Sequence, residues 1–269
     1  MSSITRRPLR AAPALALACL VALLVAAAPA SAADRYVALG DSYSSGTGTR
    51  SYTLNSGCER GVYAYPYLLA QARANTSLTF VACGGATTTD LMNSQIASVT
   101  STTSLVSVTI GGNDAGFSGV ITECAKPAWL SDCAGKVTTA QNFIRNTLPG
   151  RLNTVYSAIK SRAAAGAKVV VLGYPRIFNG EDCNAGTFFS PDDETRLNAT
   201  ADLMRDTIKA RAAAYGLTFK DAIPSFIGHA VCDSPEWLNG LSNPTSESYH
   251  PNRTGHSSGY LPLARAVLG

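Results

Sequence analysis

Tyr36-Val37-Ala38-Leu39-Gly40-Asp41-Ser42-Tyr43-Ser44 passes from an apolar run into a Gly-led turn. A short buried strand that ends in Gly presents the next side chains at the carboxyl edge of a sheet, where ligands bind in open α/β sheets. Ser42 is therefore a candidate nucleophile. Gly, Asp and Ser also form turns for ordinary conformational reasons, so the reading depends on what else the chain brings to that edge.

Residues 35–39 have four counterparts, at 78–82, 105–110, 168–172 and 217–220, each a short apolar or β-branched run stopped by Gly, Cys or Asp. Helical periodicity falls between and after them, at 65–73, 88–97, 142–165, 191–214 and 258–267. Strands too apolar to face water, alternating with helices, predict a parallel sheet covered on both faces. Residues 113–136 and 178–192 contain Gly, Pro and Cys and read as long loops flanking the sheet edge.

The first 32 residues are not expected to belong to that domain. Arg6, Arg7 and Arg10 precede an Ala/Leu/Val run over 14–28, and Ala30-Ser31-Ala32 matches an export cleavage site. Residues 1–32 therefore read as a secretory signal cut after Ala32, with Cys19 an apolar filler within it. The run is too short for a spanning anchor. Residues 33–269 are then expected to form a single domain, and the chain is expected outside the cell. Removing three Arg and no acidic residue lowers the formal charge from +4 to +1. No basic run or basic-aromatic stripe remains to bind nucleic acid.

Six cysteines remain: Cys58, Cys83, Cys124, Cys133, Cys183 and Cys232. An even count in an exported chain reads as disulfides. The sequential pairing, Cys58 with Cys83, Cys124 with Cys133 and Cys183 with Cys232, is expected because each bond closes a local loop. No C-x-x-C pair or interleaved His suggests metal ligation, and Asp41, Asp114 and His250 lack such spacing. No metal or cofactor is expected.

Three more features fall at the carboxyl ends of predicted strands or just before the last helix: Cys83-Gly84-Gly85-Ala86-Thr87, Gly111-Gly112-Asn113-Asp114, and Glu247-Ser248-Tyr249-His250-Pro251-Asn252. With Ser42 they supply a hydroxyl nucleophile, a base for its proton, and donors for a developing oxyanion. Gly40-Asp41-Ser42, Gly85, Gly111-x-Asn113 and the late His250 resemble the four blocks of the SGNH, or GDSL, hydrolases, nearest to secreted actinomycete lipases, esterases and phospholipases A1. The resemblance implies Ser42 as nucleophile, His250 as base, and the Ser42 amide, Gly85 and Asn113 as oxyanion donors. It implies a three-layer α/β/α sandwich with a five-stranded parallel sheet, flavodoxin-like in kind. The α/β-hydrolase elbow, G-x-S-x-G, is excluded because Ser44 stands at its fifth position and the nucleophile follows the first strand.

One position departs from the family pattern. Glu247 stands where the family has Asp three residues before the His, and the expectation is that its side chain orients His250. The alternative is the carbonyl of residue 247 or 248, which in some relatives leaves a Ser-His dyad.

Phe117, Trp129, Phe178, Phe188 and Phe189 lie in the two long loops and are expected to line an acyl site. Medium- to long-chain acyl esters are the expected substrates of a monomeric lipase or carboxylesterase. Phospholipase A1 and carbohydrate acetylesterase are the alternatives within enzymes. A non-enzymatic binding module would not need all four blocks.

Overall fold

The computed structural model describes residues 1–5 and 33–269, so the export signal expected over residues 1–32, Cys19 included, falls almost wholly outside the described residues. Residues 33–269 form one compact unit. Five strands, β1 (Asp34–Gly40), β2 (Thr76–Phe80), β3 (Leu105–Thr109), β4 (Lys168–Leu172) and β5 (Thr218–Lys220), form one parallel sheet in the order β2-β1-β3-β4-β5. This is the flavodoxin-like order, and its switch point lies between β1 and β3. Gly40 at the end of β1 stands beside Thr109 at the end of β3.

Strand side chains alternate between two cores. Tyr36, Ala38, Leu105, Val170 and Leu172 pack with Tyr65 and Leu69 of α2 (Tyr65–Ala72) and with Ala264 and Leu268 of α8 (Leu261–Leu268). Val37, Leu39, Val106, Val108, Val169 and Val171 face the opposite way. They meet Leu152, Val155 and Ile159 of α6 (Leu148–Arg162) and Met204, Ile208 and Ala212 of α7 (Pro191–Ala214). Burial on both faces is why these strands read as uninterrupted apolar runs.

Two expectations change. Residues 113–136 are not a plain loop, because α4 (Phe117–Cys124) and the first turn of α5 (Cys133–Asn146) fall inside them. Gly116, in the left-handed region at φ +75°, starts α4, and the Asp132 side chain caps α5 through the Gly135 amide at 3.2 Å. The single helix expected over 142–165 is instead the end of α5 followed by α6. Pro149 has no N–H to continue α5, so the chain restarts at Thr147, which closes one helix and opens the next.

The six cysteines stand in the pairs Cys58–Cys83, Cys124–Cys133 and Cys183–Cys232, spanning 25, 9 and 49 residues. Such cross-links typically contribute about 2–4 kcal/mol each by restricting the unfolded chain. They also fix loops beside the sheet edge: Cys58–Cys83 ties the segment before α2 to the turn that carries Gly85.

Candidate active site

The turn after β1 is built around Gly40. At φ +125° it lies in a region costly for other residues, and a Cβ there would stand 2.3 Å from the Thr109 carbonyl oxygen. Both backbone groups of Gly40 are held by one side chain: its N–H donates to Gln95 Oε1 at 2.8 Å, and Gln95 Nε2 donates to its carbonyl at 2.9 Å. Gln95 closes a π-helical turn, Leu91–Gln95, within the region predicted as regular helix. Such turns recur at functional sites.

Asp41 caps the short helix α1 (Ser42–Ser45), accepting from the Tyr43 amide at 3.0 Å. Its other oxygen accepts from Tyr174 Oη, and Tyr174 Oη accepts from the Gly112 amide at 3.0 Å. Burial raises the Asp41 carboxyl to about 7, opposed by the Tyr174 and Tyr43 donors. The chain Gly112–Tyr174–Asp41 couples the loop carrying Ser42 to the loop carrying Asn113. Sequence reading missed Tyr174. Its position just after β4, between Gly173 and Pro175, was the available signal.

Ser42 Oγ donates to His250 Nε2 at 2.8 Å, and His250 Nδ1 donates to the Ser248 carbonyl oxygen at 2.8 Å. A carbonyl only accepts, so the proton of the neutral ring sits on Nδ1 and Nε2 is free to accept. Tyr249, between them, is left-handed at φ +61°, which folds the chain so that the Ser248 carbonyl meets the ring two residues on. Tyr43 Oη fixes that bend by donating to the Tyr249 carbonyl at 2.7 Å, and the Asn239 amide donates to the His250 carbonyl at 2.9 Å. Desolvation lowers the His250 pKa to about 4, opposed by the Ser248 carbonyl and by the charge of Glu247.

The Glu247 side chain therefore does not orient His250, contrary to the expectation. Its buried carboxylate accepts from Tyr52 Oη at 2.6 Å and from Arg50 Nε at 3.2 Å. Burying a carboxylate is costly unless it is partnered, and Tyr52 and Arg50 hold the two oxygens of Glu247, one each. Sequence spacing showed that Glu247 could reach the ring but not that other donors held it. Glu247→Ala leaves the orienting carbonyl in place, so we expect kcat to fall about tenfold or less, or roughly 1.4 kcal/mol, with little change in KM. A loss of several hundredfold in steady-state assays of the folded variant would restore the carboxylate to the orienting role.

Gly85 and Asn113 line the cleft that contains Ser42 and His250. The amides on either side of Gly85 are committed, Gly84 to the Cys58 carbonyl at 2.9 Å and Ala86 to the Cys83 carbonyl at 3.1 Å. Gly85 itself is at φ +77°, with open space where a side chain would project. Asn113 Nδ2 spends one hydrogen on the Ala86 carbonyl at 3.0 Å and keeps the other. Asp114 anchors Asn113 from behind, accepting from the Thr88 amide at 2.8 Å and from Arg151 Nη1 at 3.0 Å. Asp41 and Asp114 are thus both committed to protein donors.

Two cavities meet at Ser42 and Asn113. One is apolar and runs inward between helices, lined by Phe117, Val120, Ile121, Ile144, Ile177, Leu197 and Met204. The other opens outward past Gly85 and His250 and carries the hydroxyls of Thr47, Ser56, Ser118, Thr122, Thr245 and Ser246 beside the Glu59 carboxylate. Of the five aromatics expected to line an acyl site, only Phe117 does so. Phe178 and Phe189 are core residues whose rings pack with centroids 4.7 Å apart and planes tilted by 48°, while Trp129 and Phe188 are exposed. The apolar lining comes mainly from faces of α4, α5 and α7, which sequence periodicity does not distinguish from core.

The chain belongs to the GDSL-like lipase/acylhydrolase family, whose sequence pattern matches residues 38–257. Lipase 1 of Streptomyces coelicolor is 44% identical over 240 residues, spanning 88% of each chain. The extracellular lipase of Streptomyces rimosus, known from its crystal structure, superposes with a TM-score of 0.81 at 43% identity, covering 87% of this chain and 99% of that one. Phospholipase A1 from Streptomyces albidoflavus gives a TM-score of 0.81 at 45% identity with the same coverage. The protein is a carboxylic ester hydrolase, and its substrates are acyl esters.

Proposed function

We propose that the protein is an exported lipase or carboxylesterase that cleaves medium- to long-chain acyl esters through a Ser42 acyl-enzyme. The observation that carries this reading is the hydrogen-bonded line from Ser42 Oγ through His250 to the Ser248 carbonyl, standing where an apolar pocket meets a polar cleft. Ser42 Oγ attacks the ester carbonyl carbon as His250 Nε2 takes its proton, and the Ser248 carbonyl steadies the resulting imidazolium. The carbonyl oxygen becomes an oxyanion facing the Ser42 amide, the Gly85 amide and Asn113 Nδ2. His250 then protonates the departing alkoxide, and the acyl group stays on Ser42. Water, activated by the same imidazole, releases the fatty acid.

The apolar pocket takes the acyl chain and the hydroxyl-lined cleft takes the alcohol. A single chain supplies every group in this scheme, as action as a monomer requires. Its residues 1–32 serve as an export signal and residues 33–269 as one catalytic domain. Three disulfides and likeness to an extracellular lipase support export.

A series of p-nitrophenyl esters tests the substrate class. Each methylene buried contributes about 0.8 kcal/mol, so kcat/KM should climb about fourfold per added methylene until the pocket is filled. A maximum at acetyl would overturn the acyl-pocket assignment and favour a carbohydrate acetylesterase. The polar cleft also favours a phospholipase A1 activity, because a glycerophosphoryl group needs polar surroundings. Release of fatty acid from the sn-1 position of phosphatidylcholine would show it.

A further inference from the structure

Ile227, Leu54 and Tyr63 are exposed away from the cleft, but four other large apolar side chains that face water fall in the loops beside it. Trp129 is 81% exposed, Leu130 64%, Phe188 54% and Leu241 41%. A monomeric protein rarely displays such a group together unless something covers it. Trp129 and Leu130 are held in place: they sit in the loop closed by Cys124–Cys133, in a turn where the Leu130 amide donates to the Pro127 carbonyl at 2.8 Å. Ser131 Oγ and the Asp132 amide tie that loop back to Glu123 at the end of α4, each at 2.9 Å. The Phe188 amide donates to the Ala125 carbonyl at 3.1 Å, which joins the second loop to the first. Ala125, Thr187 and Leu241 themselves line the polar cleft. The apolar group therefore forms one rim, continuous with the mouth of the site.

We infer that this rim is a docking surface for a lipid–water interface. The inference rests on the ester-hydrolase reading above. Position selects the occupant: a protein partner or a second copy seated here would stand over Ser42 and His250, whereas a lipid surface is itself a source of acyl ester. Among the described residues no helix is long and apolar enough to cross a membrane, so such docking is peripheral. Indole and leucine side chains suit it, the first being at home where an apolar layer meets water. The adjacent Lys126 is neutralised by Glu123 at 2.6 Å, so apolar burial and not charge drives the contact.

The test uses the chain with Ser42→Ala, so that lipid is not consumed, and vesicles of phosphatidylcholine. The chain has two tryptophans, and Trp237 is stacked on His229 at 3.7 Å, which leaves Trp129 as the reporter of the rim. Vesicles should shift its emission to the blue and carry the protein into the pellet, and about 0.5 M NaCl, which shortens electrostatic reach to a few Å, should not reverse this. The pair Trp129→Ser/Leu130→Ser should weaken vesicle binding by about tenfold or more, and Phe188→Ser on the other loop should weaken it independently. With Ser42 intact, the same variants should hydrolyse a dissolved short-chain ester within about twofold of the parent, while hydrolysis of vesicle-borne long-chain ester falls about tenfold. Unchanged vesicle binding in these variants overturns the inference, as does a parallel fall on dissolved and vesicle-borne esters. So does conversion of a dimer to a monomer with vesicle binding intact, which would assign the rim to a second copy. Loss of the hydrolase reading itself would show separately, as Ser42→Ala protein that still cleaves dissolved ester.

Discussion

Ser42→Ala is expected to lower kcat by on the order of 10⁴- to 10⁶-fold while the protein keeps its fold, since removing a nucleophile leaves only binding and oxyanion stabilisation. The side chain is small, its one side-chain hydrogen bond runs to His250, and the Nε2 it would leave free lines the open cleft, so the substitution removes no core packing. Circular dichroism and thermal unfolding should match the parent. The partner in that bond sets the pH range. With its pKa lowered to about 4, chiefly by desolvation, the folded imidazole is neutral and able to accept a proton well into mild acid. Activity should therefore persist below the ordinary histidine pKa and fall only as pH approaches about 4. Stability runs the same way: an unfolded histidine binds protons from about pH 6.5 downward and the folded one does not, so acid between those limits favours unfolding. Buried His256, lowered to about 3, adds in the same direction. Near-parental turnover by folded Ser42→Ala would remove the acyl-enzyme from the mechanism.

Strands are legible in this sequence because a parallel sheet buried on both faces leaves a contiguous apolar signature, as in Val169-Val170-Val171-Leu172. The candidate site is legible for a related reason. Chemistry in such a sheet sits where strands end, so Ser42 after β1, Gly85 after β2 and Asn113 after β3 announce themselves as polar or Gly residues that interrupt apolar runs. What is hidden depends on contacts between segments distant in the chain. Gln95 reaches Gly40 across 55 residues, Tyr174 reaches Asp41 across 133, and Tyr52 takes the Glu247 carboxylate across 195. No local pattern encodes those pairings. The orienting group is harder still, because the Ser248 carbonyl belongs to the backbone and would be the same with any residue at 248. The apolar pocket is hidden differently: Val120, Ile144, Leu197 and Met204 satisfy helical periodicity as core residues do, and only the packing reveals that the space between them is open.

Asn113→Ala separates the oxyanion reading from a purely structural one, and it should cost about 10²- to 10³-fold in kcat with KM nearly unchanged, the usual loss for one oxyanion donor. A structural role would have to come from capping, since Asn is a good N-cap residue, but the neighbouring helices are started by other groups. Gly116 opens α4, and the turn that begins at Thr88 is capped by the Thr87 side chain. The Asn113 side chain donates only to the Ala86 carbonyl, at 3.0 Å, so its loss should shift the unfolding temperature little. The substrate carbonyl is neutral on binding and becomes an anion only in the transition state, which is why the loss belongs in kcat. Asn113→Asp sharpens the distinction. It preserves shape, replaces a donor by a carboxylate, and should be slower than Asn113→Ala because it repels the developing charge. If both variants retain parental kcat, or if both lose activity only in proportion to lost fold, Asn113 is not an oxyanion donor and stabilisation would fall to the Ser42 and Gly85 amides alone.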